Sequence, residues 1–252
     1  MGALTPYRRR VSDAAVVDVD DVDTWPADLR LHVDSWCEHL RGSTEYGSDL
    51  DLSWDDEVEC REVLREHLLL AYHFTRLLDV EVERVRKAEG LLPLTRELVE
   101  RRIDDALAGG HVTPEEAERM RATHVFRVDG GSGRRDQVCL ALGNQPLRTG
   151  RGVRELLGMW GGEALYAPTN ELRPLLKRLG RPAVVVVGLD LTVPGQHNVR
   201  PGVLKTFVAT RLQLKNSGAD VMYRGRVPGA AVLGVWQPGS PAYDRFDRLP
   251  RA

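Results

Sequence analysis

The stretch Leu68-Leu69-Leu70-Ala71-Tyr72-His73-Phe74-Thr75 decides how the rest of the chain is read. An uninterrupted apolar run carrying aromatic residues suits a buried strand. Against this, no Gly or Pro lies between Asp55 and Glu89, so a single long helix through the region is a rival. Asp79 favours the strand because it is placed as the N-cap of a new helix, with Leu78, Val82 and Val85 at helical spacing. That helix meets its stop at Gly90, followed by Leu91 and Pro93.

Upstream, Val16 to Asp28 alternates Val with Asp18, Asp20, Asp21 and Asp23, as an edge strand or a disordered acidic arm. A helix is expected over 28–41, ending at Gly42, then a polar loop from Gly42 to Ser53, then a helix from Asp55 to Glu66. Downstream, Thr95 caps a helix running to about Leu107, closed by Gly109-Gly110. Thr113, Pro114 and Glu116 form a capping box with proline at the first position, a strong local start signal. After the Gly130-Gly131-Ser132-Gly133 turn, Gln137 to Leu142 reads as a strand. Val153 to Trp160 reads as a helix, Gly161-Gly162 as a turn, and Glu163-Ala164-Leu165-Tyr166 as the start of a strand. A helix from about Asn170 to Leu179 leads into the apolar strand Ala183 to Leu189. Thr206 to Leu214 is compatible with either helix or strand, and Asp220 to Tyr223 and Ala231 to Trp236 form a final strand pair. Strands without a repeating β-α-β rhythm predict an α+β fold.

Composition sets outer limits. With 42% hydrophobic and 29% charged residues, the 252-residue chain can bury a real core, and no apolar run approaches the roughly 18 residues of a membrane span. Arg8-Arg9-Arg10 is not followed by the apolar stretch of a secretory signal. Cys37, Cys60 and Cys139 are odd in number and form no Cys-x-x-Cys pair, which argues for a reducing compartment and predicts a cytoplasmic protein without a metal site. The net charge of −2 conceals an asymmetry: residues 1–60 hold 15 Asp/Glu against 5 Lys/Arg. We therefore expect an acidic extension over 1–53, with one helix, on a basic domain over 54–252. A basic body suits an anionic ligand such as a dinucleotide or nucleic acid, although a solvated acidic surface without a partner explains the charges equally well.

Two motifs carry chemistry. A histidine in an apolar run is more often a hydrogen-bonded core residue than a catalytic one. Here, however, Tyr72-His73-Phe74-Thr75, an amphipathic helix and Gly90-Leu91-Leu92-Pro93-Leu94 follow in order. This succession resembles the opening of the ADP-ribosyltransferase superfamily, where a first strand carries His-x-Thr and a Gly-Leu step leads to the nicotinamide side. Gly162-Glu163-Ala164-Leu165-Tyr166 resembles the Glu-x-Leu-Val element of its nucleic-acid-modifying branch. The resemblance spans roughly Leu68 to Trp236 and rests on short motifs.

What it implies is a split mixed β-sheet with helices, NAD as co-substrate, DNA or RNA as acceptor, and a toxin or phage-defence role. Glu163 is the implied catalytic residue, because a carboxylate on the ribose 2′-hydroxyl stabilises the cation left when nicotinamide departs. Asp220, in Ala219-Asp220-Val221-Met222-Tyr223, is its competitor, since this segment also has the shape of the catalytic strand and would replace the family's glutamate. His73, Thr75 and Arg76 are expected to bind NAD. Arg135 and Gln137, with Arg134 beside them at the start of a strand, are expected near the pyrophosphate. Tyr166 is the aromatic nearest Glu163, with core packing as its plainer role. The alternatives are an RNA 2′-phosphotransferase-like enzyme on the same fold, or a non-enzymatic nucleic-acid-binding regulator built on a long helix from Asp55 to Glu89. Other signatures fail: the Gly130–Arg135 segment lacks the Lys-Ser/Thr of a P-loop, and Cys37 and His39 lack a second ligand pair.

Overall fold

The computed structural model describes residues 15–128, 130, 133–150, 152–192, 197–215 and 217–251. Residues 1–14, and Gly131 and Ser132 of the expected glycine turn, lie outside them. Leu68–Leu77 is a strand, β2, rather than the middle of a helix from Asp55 to Glu89. With β1 (Val16–Val17), β3 (Gln137–Leu142), β4 (Arg181–Leu189), β5 (His197–Arg200), β6 (Ala219–Arg224) and β7 (Val232–Trp236) it forms one sheet. The strand order is β5-β6-β3-β2-β4-β7, antiparallel throughout, with β1 added in parallel to the start of β2.

Both faces of the sheet are covered, which explains why β2 and β4 read as unbroken apolar runs. On one face, Leu69, Ala71, Val185, Val187, Leu140 and Val221 pack against α1 (Ala27–Leu40), α2 (Trp54–Val63) and the helix Val203–Arg211. On the other, Tyr72, Phe74, Val184 and Val186 meet Leu147, Val153, Leu157, Tyr243 and Phe246. A satellite cluster joins the helices Arg96–Ala108 and Pro114–Thr123 to the segment from Met159 to Leu179.

The acidic N-terminal region shares the main core. Val17, Val19, Trp25, Leu29, Val33 and Leu50 are buried with the sheet residues, and Trp25 meets Phe207 edge to face at 4.9 Å. Glu57 anchors the next segment: its carboxylate accepts from the backbone N–H groups of Val203 and Leu204, each at 2.8 Å, at the start of the helix Val203–Arg211. Arg61 holds the same carboxylate and reaches His197 Nε2 at 2.7 Å. Among the described residues, buried side chains on both sides of the expected boundary at residue 53 belong to one cluster.

Local capping signals agree with the helix starts. Thr95 Oγ1 accepts from Leu98 N, and Thr113 and Glu116 form their reciprocal box. The helix Asp79–Arg84 is capped differently from expectation. Leu78 occupies the cap position, and Glu81 reaches back to its N–H at 2.7 Å. The chain then passes through one wide turn, Val85–Glu89, to Gly90 at φ +66°, where an added Cβ would lie 2.0 Å from the Val227 carbonyl oxygen. Only glycine fits that approach.

Candidate active site

Register shows where the sheet opens. β2 pairs with β4 over nine positions, Leu69 to Leu77, but with β3 only at Ala71↔Leu142 and Tyr72↔Ala141. Beyond Tyr72 the two central strands part. His73 reaches across the opening, with Nδ1 2.8 Å from the Cys139 carbonyl oxygen. A carbonyl only accepts, so Nδ1 carries the proton and the neutral ring keeps Nε2 as an acceptor. The far end of the opening is closed by the segment after Gly90. Leu91 exchanges backbone hydrogen bonds with Val227, and Leu94 N donates to the Gln137 carbonyl at 3.0 Å.

A cavity of about 410 Å³ occupies this region. His73, Phe74, Thr75, Leu92, Leu94, Gln137, Cys139, Glu163 and Asp220 line it, a mixture of apolar wall and few polar groups that suits a small-molecule site. A second cavity, about 710 Å³, shares Arg134, Gln137, Cys139, Leu140, Glu163 and Asp220 with the first. Its floor is the outer face of β5, β6 and β3, and Val125, Tyr166 and Pro168 supply its wall. Glu163 and Asp220 thus stand where the two cavities meet.

Six of the residues singled out in the sequence line the smaller cavity: His73, Thr75, Arg134, Gln137, Glu163 and Asp220. Tyr166 lines the larger one, with its ring beneath the Arg173 guanidinium and its hydroxyl pushed up to about 12, first by burial and then by the charges of Glu163 and Glu155. Two others lie elsewhere. Arg76 is buried and donates to the carbonyls of Leu179 (2.6 Å) and Leu157 (3.4 Å), a structural role on β2. Arg135 is exposed and paired with Asp136 at 3.5 Å.

The conformation expected at Glu163 needs correction. Gly161 and Gly162 both take positive φ, +83° and +59°, and turn the chain into a single helical turn, Glu163–Tyr166, instead of a strand. Leu165 N and Tyr166 N both donate to the Gly162 carbonyl, while Ala164 and Leu165 bury in the satellite cluster. Asp220, by contrast, is on β6, registered against Ala141 on one side and Arg200 on the other.

Arg134 and Cys139 carry more of the site than their sequence context suggested. Arg134 Nε lies 2.7 Å from Glu163 Oε2, and Nη1 donates to Cys139 Sγ at 3.2 Å. The thiol contact raises the guanidinium pKa most, opposed by burial, with Glu163 and Asp220 adding to the rise. The alternation of β3 was the available signal, since it puts Gln137 and Cys139 on one face.

His73 has its ordinary value pushed down, foremost by burial and further by the Arg102 charge, against the raising effect of the Cys139 hydrogen bond. Arg102 is itself fixed by Glu81 and stacks over Trp160, whose indole N–H donates to the same carboxylate.

Among the described residues, no group of three or more His, Cys, Asp or Glu could hold a metal ion, and no helix is long and apolar enough to cross a membrane. No family model, curated protein or solved structure matches the chain.

Proposed function

We propose that this chain is an NAD-dependent ADP-ribosyltransferase that transfers ADP-ribose to a macromolecule, with DNA or RNA as the acceptor. The observation that carries this reading is the opening between β2 and β3. It begins at His73, is crossed by the His73–Cys139 hydrogen bond, and gathers Thr75, Gln137 and Glu163 around one cavity. The residues fit the ligand. Apolar Phe74, Leu92 and Leu94 suit a planar ring, and His73 Nε2 suits a ribose hydroxyl. NAD supplies a C1′–N bond whose cleavage leaves positive charge on the ribose. Glu163 is the carboxylate assigned to stabilise that charge. A split sheet of the superfamily's kind, and a toxin or phage-defence role, follow from the same resemblance and belong to this proposal.

The phosphotransferase alternative asks for several free cationic groups on one phosphate. Arg102 is engaged by Glu81 and Arg134 by Glu163, which favours the transferase.

The test incubates folded, purified protein with labelled NAD, single-stranded DNA, RNA and cell extract. Nicotinamide release with label in an acceptor fraction is expected. Absence of both overturns the proposal.

A further inference from the structure

Two carboxylates stand at the junction of the two cavities, and they differ in one respect. Glu163 is occupied by Arg134, which lies 2.7 Å from Oε2. Glu155, the third carboxylate of the larger cavity, is likewise occupied, by Arg173 at 3.0 Å. Asp220 forms no ion pair with another described residue. It is exposed on the outer face of β6 and borders both cavities. Its strand is paired on both sides, so its backbone position is fixed by the register rather than by a one-turn helix.

These placements suit different tasks. A carboxylate with one oxygen held by a guanidinium is fixed in orientation, and its other oxygen can accept from the ribose 2′-hydroxyl and face the cationic ribose. A carboxylate without such a partner can accept a proton from a substrate group. The smaller cavity has the His73 and Thr75 side, and the larger is open along the sheet face toward Arg200. A nucleophile entering by the larger cavity therefore meets Asp220 at the boundary with the smaller one.

Building on the transferase reading, we infer that the 710 Å³ cavity receives the acceptor and that Asp220, not Glu163, takes the acceptor's proton. The acceptor class is a neutral O–H or N–H group. In the step, the C1′–N bond breaks and nicotinamide leaves with the electron pair. The acceptor oxygen or nitrogen forms the new bond to C1′, and its proton passes to an Asp220 carboxylate oxygen and then to solvent.

The experiment follows nicotinamide release and label transfer in the same tube. It compares wild type, Glu163→Gln and Asp220→Asn, with a mixture of single-stranded DNA and RNA oligonucleotides as the acceptor probe. Glu163→Gln is expected to lower both readouts together, about 100-fold, as for loss of a charge stabiliser. Asp220→Asn is expected to lower transfer about 100-fold and nicotinamide release less than tenfold, because water replaces the acceptor. Circular dichroism confirms that each variant folds, and Asp220→Glu, which restores a carboxylate, is expected to recover part of the transfer. Equal losses of release and transfer in Asp220→Asn overturn the division of roles while leaving the transferase reading intact. A wild-type protein that releases no nicotinamide overturns both.

Discussion

His73 Nδ1 lies 2.8 Å from the Cys139 carbonyl oxygen, spanning strands that have stopped pairing one residue earlier. His73→Ala removes this link and leaves the carbonyl without this donor, at a cost of about 1 kcal/mol. His73→Asn keeps a donor of shorter reach. We expect the alanine variant to bind NAD at least tenfold more weakly and to melt lower, with the asparagine variant between it and wild type. Calorimetric titration and thermal melts check both.

The same imidazole gives the fold a pH dependence. Burial, the leading cause, depresses its folded-state value below the ordinary 6.5, so the folded protein binds the proton less readily than the unfolded chain. The associated stability is fully present above pH 6.5 and is lost as pH falls through the depressed value. Urea midpoints measured from pH 7.5 down to 5 should fall, and more steeply in wild type than in His73→Asn. Equal slopes would remove His73 as the cause.

Gly90 and Gly42 provide a paired test of backbone approach. Both have positive φ, +66° and +80°, but a Cβ at Gly90 would meet Val227 O whereas nothing lies within 4 Å at Gly42. Gly42→Ala should cost about 1–2 kcal/mol from the dihedral alone. Gly90→Ala should cost more, since it must also push apart the Leu91–Val227 backbone pair. Urea titration of the two variants measures the difference.

Much of this fold was legible because its signals are local. The caps at Thr95 and Thr113 lie within three residues of what they satisfy. Gly90 stops its helix just where Val227 crowds the chain. The acidic region misled by composition: its Asp and Glu residues are mostly on the surface, whereas a few buried residues spaced along it, Val17, Trp25, Leu29 and Val33, fix its place. Glu163-Ala164-Leu165-Tyr166 misled by its likeness to a strand element, because four residues do not reveal the dihedrals of the two glycines before them. β5 carries one buried residue, Val199, and offered almost no pattern. His73 and Thr75, singled out by their motif, line the smaller cavity. Arg134 gains its significance from Glu163, 29 positions away in the sequence and 2.7 Å away in space.

Removing residues 1–53 tests how deeply that region is built in. It strips Val17, Trp25, Leu29, Val33 and Leu50 from the main core, so the truncated chain is expected to lose cooperative unfolding. Glu57→Ala is the milder version. It frees the N–H groups of Val203 and Leu204 and leaves Arg61 without its carboxylate, at a cost of about 3 kcal/mol. Thermal melts check both. A truncated chain that unfolds in a single sharp transition would show the region to be dispensable.

The thiols provide a chemical readout of the cavity. Cys37 and Cys60 are buried, and burial pushes both thiols up, whereas Cys139 is partly exposed beside the Arg134 guanidinium. Iodoacetamide at pH 8 should label Cys139 first, and NAD should slow that labelling if it occupies the cavity. Peptide mass spectrometry follows each site separately.

Only two backbone rungs, Ala71–Leu142 and Tyr72–Ala141, join the halves of the sheet directly between β2 and β3. The recess beside them is therefore a product of main-chain geometry, set before any lining side chain is chosen. Its side chains can change, one at a time, without closing it. What such a hollow holds can drift with its lining, while its shape is tied to the backbone.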